Sequence, residues 1–173
     1  KRGLIYWPGN NEATSRIIFS NRERLISLNT KNGTEIKKFG NNGMVRTGLN
    51  VMTPVIYNGN IIIVTWDNAI EAYDLISGKN KWKIKYKKKI HKRVGGVKYN
   101  NRGANPWSGI SLDRERGLLF FTTGNPHSYF DGTRRPGQNE YSNSIIAVDL
   151  NNKKILWTFQ ETAHDIWNHD ISG

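Results

Sequence analysis

Ile70-Glu71-Ala72-Tyr73-Asp74, followed by Leu75-Ile76-Ser77-Gly78-Lys79 and then Trp82, is the stretch whose reading decides the fold. A short run of strand-forming residues ends in Asp, a polar turn follows, and a second short run opens around Trp. The same arrangement returns as Ile145-Ile146-Ala147-Val148-Asp149, a turn through Asn151-Asn152-Lys153-Lys154, and Trp157 at the same distance from its Asp. A third copy, Leu25-Ile26-Ser27-Leu28-Asn29, leads into Asn32-Gly33-Thr34 but carries Lys37 where the Trp stands in the others.

A strand, a polar turn and a Trp-bearing strand, repeated along a chain, is the pattern of a β-propeller, each copy marking one blade. The Trp is expected to dock between blades as an apolar wedge. Further short runs fit the same all-β reading: Arg16 to Ser20, Val55 to Tyr57, Ile61 to Thr65, Lys81 to Lys85, Gly109 to Leu112 and Leu118 to Thr123. Asn58-Gly59-Asn60 is a hairpin signal between two of them. Helical periodicity is nearly absent. A β-sandwich holding two Trp hairpins is the competing architecture. The interval between the second and third copies is the longer one, so 81–106 reads as a basic insertion or long loop within one domain spanning 1–173.

Composition narrows the function. Lys and Arg number 26 against 14 Asp and Glu, a net charge of +12, with much of the excess in Lys81 to Arg93. Such a block is usually a solvated face, and with only Trp82 and Tyr86 interleaved no nucleic-acid partner is expected. The chain has no Cys, which excludes disulfides, thiolate metal sites and cysteine nucleophiles. No apolar run is long enough for a membrane-spanning helix. The chain opens at Lys1 without Met and its last residues run through a motif, so it is expected to be part of a longer domain.

Four segments are richer in Gly, Trp, His and Asn than strands require: Arg2-Gly3-Leu4-Ile5-Tyr6-Trp7-Pro8, Gly103-Ala104-Asn105-Pro106-Trp107-Ser108-Gly109, Thr122-Thr123-Gly124-Asn125-Pro126 and His164-Asp165-Ile166-Trp167-Asn168-His169-Asp170. Between the last two lies Arg135-Pro136-Gly137-Gln138-Asn139. In this order and spacing they resemble the pyrroloquinoline quinone (PQQ)-dependent alcohol and sugar dehydrogenases, and the resemblance covers essentially the whole chain. It implies roughly three Trp-docked blades of an eight-bladed ring.

The resemblance implies roles residue by residue. Arg2 falls at the arginine that hydrogen-bonds the reactive carbonyl edge of PQQ, where a guanidinium suits an oxygen gaining negative charge. Trp107 falls at the indole that stacks under the flat quinone, with Asn105 beside it as a cofactor-binding residue. Asn125 matches an amide ligand to a divalent ion, and its oxygen suits a hard cation such as Ca²⁺ or a lanthanide. The family's Gly-Ala-Glu-like ligand segment is missing here. Thr65-Trp66-Asp67-Asn68 stands in its place, making Asp67 the candidate ligand. The family pattern H-D-x-W-D places a catalytic base at its final Asp, but this chain has Asn168 there. A neutral amide cannot accept the substrate proton, so Asn168 is left with metal binding or substrate orientation. Asp170 is the nearest carboxylate, as base or metal ligand.

The chemistry implied is hydride transfer from the carbon bearing a substrate hydroxyl to the quinone, with the cation as Lewis acid. The resemblance further implies an alcohol or aldose substrate, closer to the glucose and polyol branch than to the methanol branch. It also implies a cytochrome or ubiquinone acceptor and a periplasmic location. The rival from another class is a noncatalytic Trp-docked propeller serving as a scaffold, which accommodates the altered base. A third reading, a basic nucleic-acid-binding β domain, rests on charge alone. An open arc of blades leaves sheet edges unpaired, so self-association of this polypeptide by itself is expected.

Overall fold

The computed structural model describes residues 3–10, 14–87, 93–94, 97–98 and 102–171. Arg2 lies outside them. The strands are β1 (Ile5–Trp7), β2 (Arg16–Ser20), β3 (Arg22–Asn29), β4 (Met44–Asn50), β5 (Val55–Tyr57), β6 (Asn60–Thr65), β7 (Ala69–Asp74), β8 (Asn80–Lys85), β9 (Arg93–Val94), β10 (Val97–Lys98), β11 (Pro106–Asp113), β12 (Leu118–Thr123), β13 (Ser144–Asp149) and β14 (Lys154–Gln160). They form three four-stranded meanders, β1-β2-β3-β4, β5-β6-β7-β8 and β11-β12-β13-β14, and a two-stranded β9-β10 hairpin. The four-stranded sheets are three propeller blades.

The repeated pentapeptides are the third strands of these blades: Leu25–Asn29 ends β3, Ile70–Asp74 fills most of β7 and Ile145–Asp149 most of β13. Their terminal Asp or Asn has a local cause. Asp74 Oδ1 accepts the backbone N–H of Ser77 at 2.8 Å, Asp149 Oδ1 that of Asn152 at 2.9 Å, and Asn29 Oδ1 that of Lys31 at 2.8 Å. A short acceptor side chain is what such a turn needs. Between β5 and β6, Asn58 and Gly59 both have positive φ, 44° and 70°, the two-residue hairpin geometry that Asn-Gly favours.

The chain divides into two compact units, Lys1–Ile84 and Lys85–Gly173. In the first, Ile18 and Leu25 of one blade share a core with Ile61, Ile63 and Tyr73 of the next, and Phe39 and Leu75 from the connections close it. Arg16 ties the same two blades: its Nη1 donates to the carbonyls of Leu75 at 3.0 Å and Ile76 at 3.3 Å, and its guanidinium lies 5.1 Å from the Trp7 ring centre. In the second unit, Leu119, Phe121, Ile146, Ala147 and Val148 are buried on the inner strands. Tyr86 meets Phe121 edge to face at 5.1 Å and donates its hydroxyl to the Ala104 carbonyl at 3.0 Å.

The two Trp residues of the repeat sit on the fourth strands of their blades. Trp82 is half-buried on β8, and Trp157 on β14 is 48% exposed, its ring 6.0 Å from Phe120 of its own blade. Of the basic stretch 81–106, residues 81–85 are in β8 and the short hairpin lies further along.

Antiparallel order has a consequence for function. The start of β11, the end of β12, the start of β13 and the end of β14 fall at one end of their sheet, as the pairings Pro106 with Thr123, Thr122 with Ile145 and Ser144 with Gln160 show. Three of the four chemistry-bearing segments lie on the connections at that end.

Candidate functional site

The site in the second unit is built from backbone outward. The segment before β11 zips onto the one after β12: Ala104 N–H donates to the Asn125 carbonyl at 2.9 Å, Gly124 N–H to the Asn105 carbonyl at 3.0 Å and His127 N–H to the Arg102 carbonyl at 2.9 Å. Gly103, at φ +89°, makes this approach sterically open, since a Cβ there would lie 2.3 Å from the Asn125 carbonyl oxygen. Thr123 clamps the connection into β13, donating its hydroxyl to the Tyr141 carbonyl at 2.6 Å and accepting Ser144 N–H at 3.1 Å.

The segment after β14 is shaped by Asp165, which is fully buried. Its carboxylate accepts Trp167 N–H at 2.8 Å, His169 N–H at 2.8 Å and Asn143 Nδ2 at 2.9 Å. Burial pushes this carboxyl up, but the hydrogen bonds from Trp167, Asn143 and His169 outweigh it and hold it below the usual carboxylate range. From the other side Arg135, 2% exposed, donates to the carbonyls of Ser128, Tyr129 and Asp165 and to Asn139 Oδ1. One guanidinium thereby joins the loop after β12 to the turn after β14.

Asn168 and Asp170 are thus delivered to Asn125. Asp170 Oδ1 accepts the backbone N–H of Asn125 at 3.0 Å, and Asn125 Nδ2 donates to Asn168 Oδ1. Gly124 is where the parts meet: a Cβ on it would stand 2.6 Å from Asp170 Oδ1 and 2.8 Å from Trp107 Nε1. The structure therefore brings together four residues singled out in the sequence, Trp107, Asn125, Asn168 and Asp170. The Asn105 carbonyl caps Gly124. Asn125 Oδ1 is buried and has no hydrogen-bond partner. A buried acceptor left unpaired is costly, and a cation would satisfy it.

Asp67, in the first unit, occupies the β6–β7 turn of its own blade, the position equivalent to the β12–β13 connection. Its Oδ2 takes Lys83 Nζ at 2.9 Å and its Oδ1 the Thr65 hydroxyl. Lys83 also meets Glu71 Oε1 at 2.6 Å, and the buried Glu71 accepts the Tyr73 hydroxyl at 2.6 Å and Gly48 N–H at 3.3 Å. Burial lowers the Lys83 pKa, but Asp67 and Glu71 more than compensate and raise it overall. The carboxylate expected to face a metal is thus paired with an ammonium.

Among the described residues no group of three or more His, Cys, Asp or Glu could hold a metal. The donor set around Asn125 is one carboxylate plus amide oxygens, all hard donors, and fits a hard cation rather than a thiophilic or imidazole-seeking metal. Asn143, Asp165 and Arg135 are the supporting residues that sequence reasoning left without a role. Arg135 and Asp165 stood in recognisable motifs, whereas Tyr141-Ser142-Asn143 belongs to none.

The chain matches the family model for the PQQ-dependent glucose/ethanol/alcohol dehydrogenase β-propeller domain over residues 1–173. The large subunit of glycerol dehydrogenase from Gluconobacter oxydans is 29% identical, the match taking in 99% of this chain and 27% of that protein. The quinohemoprotein alcohol dehydrogenase of Comamonas testosteroni superposes with a TM-score of 0.72 at 22% identity, over 98% of this chain and 28% of that one. A europium-containing methanol dehydrogenase gives 0.70 at 19% identity, over 97% and 33%. The chain thus spans about a quarter to a third of the length of these proteins. With its three blades and the family match along its whole length, this chain belongs to the β-propeller family of the PQQ-dependent glucose, ethanol and alcohol dehydrogenases.

Proposed function

We propose that the protein carrying this chain oxidises a hydroxyl of an alcohol, polyol or aldose with PQQ and a hard cation. The observation that carries this reading is the meeting of Trp107 and Asp170 at Gly124 and of Asn168 and Asp170 at Asn125, with Asn125 Oδ1 buried and unpaired. When bound, PQQ supplies a two-electron acceptor and Ca²⁺ or a lanthanide supplies a Lewis acid. Asn125 and Asp170 would hold the cation, with Asn168 as a third oxygen donor or as the group orienting the substrate. Trp107 offers an indole face to a flat cofactor, flanked by Asn105. Arg2, outside the described residues, is assigned the developing oxyanion by its motif. Asp67 enters as a ligand only by giving up Lys83. Asp170 is the carboxylate available to take the substrate proton, since Asn168 has no basic lone pair of use at neutral pH.

A polyol or sugar substrate is supported by the glycerol dehydrogenase relative, and a lanthanide as the alternative to Ca²⁺ by the europium-containing one. A cytochrome or ubiquinone acceptor and a periplasmic location complete the proposal. One observation favours a second reading, a noncatalytic scaffold: the base position is an amide, and that amide is hydrogen-bonded to Asn125. The test is to add PQQ with Ca²⁺ or a lanthanide to the full-length protein and follow dye reduction with a panel of alcohols and aldoses. Reduction requiring both additions establishes the enzyme, and absence of cofactor binding overturns this reading in favour of the scaffold.

A further inference from the structure

Asn143 stands just before β13, fully buried, at a positive φ of 46° that Asn tolerates better than most residues. Its backbone N–H donates to the Gly124 carbonyl at 3.0 Å, and its own carbonyl accepts Glu161 N–H at 2.9 Å. Its side-chain Nδ2 donates to Asp165 Oδ2 at 2.9 Å and to the His169 carbonyl. One residue therefore grips the chain beside Asn125, the exit from β14 and both flanks of Asn168.

The amide can take only one orientation. Turned over, Asn143 Oδ1 would face the Asp165 carboxylate and the His169 carbonyl, oxygen against oxygen. In the orientation present, both contacts are attractive and Oδ1 is left buried without a partner. Such an unpaired acceptor costs free energy that a purely structural turn could avoid with another residue. What this orientation secures is the separation between the Asn125 strand end and the Asn168–Asp170 turn.

We propose that Asn143 is a positioning residue of the candidate site: through its bonds to the Gly124 carbonyl, Asp165 and the His169 carbonyl it holds Asn125 and Asp170 in register, and so sets the affinity for cation and cofactor. This rests on the PQQ-and-cation reading given above. Partners that orient ligands from behind typically change metal affinity roughly 10- to 100-fold when removed.

The test uses the full-length protein loaded with PQQ and titrated with Tb³⁺, read by luminescence sensitised through nearby Trp, alongside thermal unfolding of the unloaded protein. Asn143→Asp keeps the shape and removes the donor, while Asn143→Gly keeps the backbone conformation and removes the amide. Asn50→Ala is the matched control, because Asn50 is a buried Asn bonded to Ser20 and Met52 in the first unit. Both Asn143 variants are expected to raise the Tb³⁺ Kd roughly 10- to 100-fold, while Asn50→Ala lowers the melting temperature comparably and leaves the Kd within about twofold. Asn143 variants that bind like wild type, or a control that weakens binding as much, overturn the proposal alone. A wild-type protein that binds neither PQQ nor Tb³⁺ overturns the functional reading beneath it, and the proposal with it.

Discussion

The backbone N–H of Asn125 donates to Asp170 Oδ1 at 3.0 Å, joining residues 45 positions apart on the segments that follow β12 and β14. Only one of these two side chains is a carboxylate, and Asn168, which meets Asn125 from the same segment as Asp170, is neutral. The site therefore holds less negative charge and less basicity than two neighbouring carboxylates would give.

Asn168→Asp is expected to raise turnover of the PQQ- and cation-loaded full-length protein by about 100-fold, the lower range for a positioned general base. The pH–rate profile should gain a limb in the carboxylate range. Steady-state dye reduction measures both, and unchanged turnover would remove position 168 from the chemistry.

Gly124→Ala places a methyl group against Asp170 Oδ1 and the Trp107 indole N–H, at 2.6 and 2.8 Å. Either the Asn168–Asp170 turn or the indole must shift. Overpacking of this kind costs roughly 1–3 kcal/mol. PQQ-dependent quenching of Trp fluorescence should be lost at cofactor concentrations that saturate the wild type.

Burial pushes the Lys87 ammonium down to about 8 from its ordinary 10.5. Between those values the unfolded chain binds more protons than the folded one, so stability rises with pH across that window, and below about 8 the full penalty applies. Lys87→Met is expected to stabilise the protein at pH 7 by roughly 2–3 kcal/mol and to remove the rise. Denaturant titrations of both proteins at pH 7, 9 and 10.5 give the comparison.

Lys83→Met leaves Asp67 and the buried Glu71 without their shared cation. Breaking a buried pair costs roughly 3–5 kcal/mol, and because Lys83 is 40% exposed the expected loss is nearer 2 kcal/mol. Adding Glu71→Gln should recover much of it. Urea unfolding of the single and double variants decides whether the pair is coupled.

Most of the fold was legible in the sequence because the blade interiors are apolar runs closed by acceptor-bearing turns. The runs at Arg16–Ser20, Val55–Tyr57 and Leu118–Thr123 coincide with strands, and Ile70–Asp74 and Ile145–Asp149 fall short of theirs by one residue. β1 and β4 escaped notice for different reasons. Ile5–Trp7 lay inside a motif read for its chemistry, and Met44–Asn50 carries Arg46, Thr47 and Gly48 mid-strand, so it lacks an apolar signature. Gly48 is there for a steric reason, since a Cβ would stand 2.7 Å from Asp67 Oδ1. At the site, Asn125 and Asp170 were visible as residue types in motifs. Asn143 was not, because its importance comes from where β13 begins relative to Asp165, a separation of 22 residues. The pairing of Asp67 with Lys83 was hidden likewise, since it depends on β7 and β8 lying side by side.

The gathering of Trp107, Asn125, Asn143 and the 165–170 turn at one end of the β11–β14 sheet separates two kinds of inheritance. Most substitutions along the strands test whether the blade still packs, while those in the connections and at the strand starts beside them test what it does. Position 168 can therefore carry an amide or a carboxylate without disturbing the apolar runs that fold the blade. The same modularity makes this end of the sheet a compact target for redesign, where reactivity can be rewritten on a scaffold that need not be re-engineered.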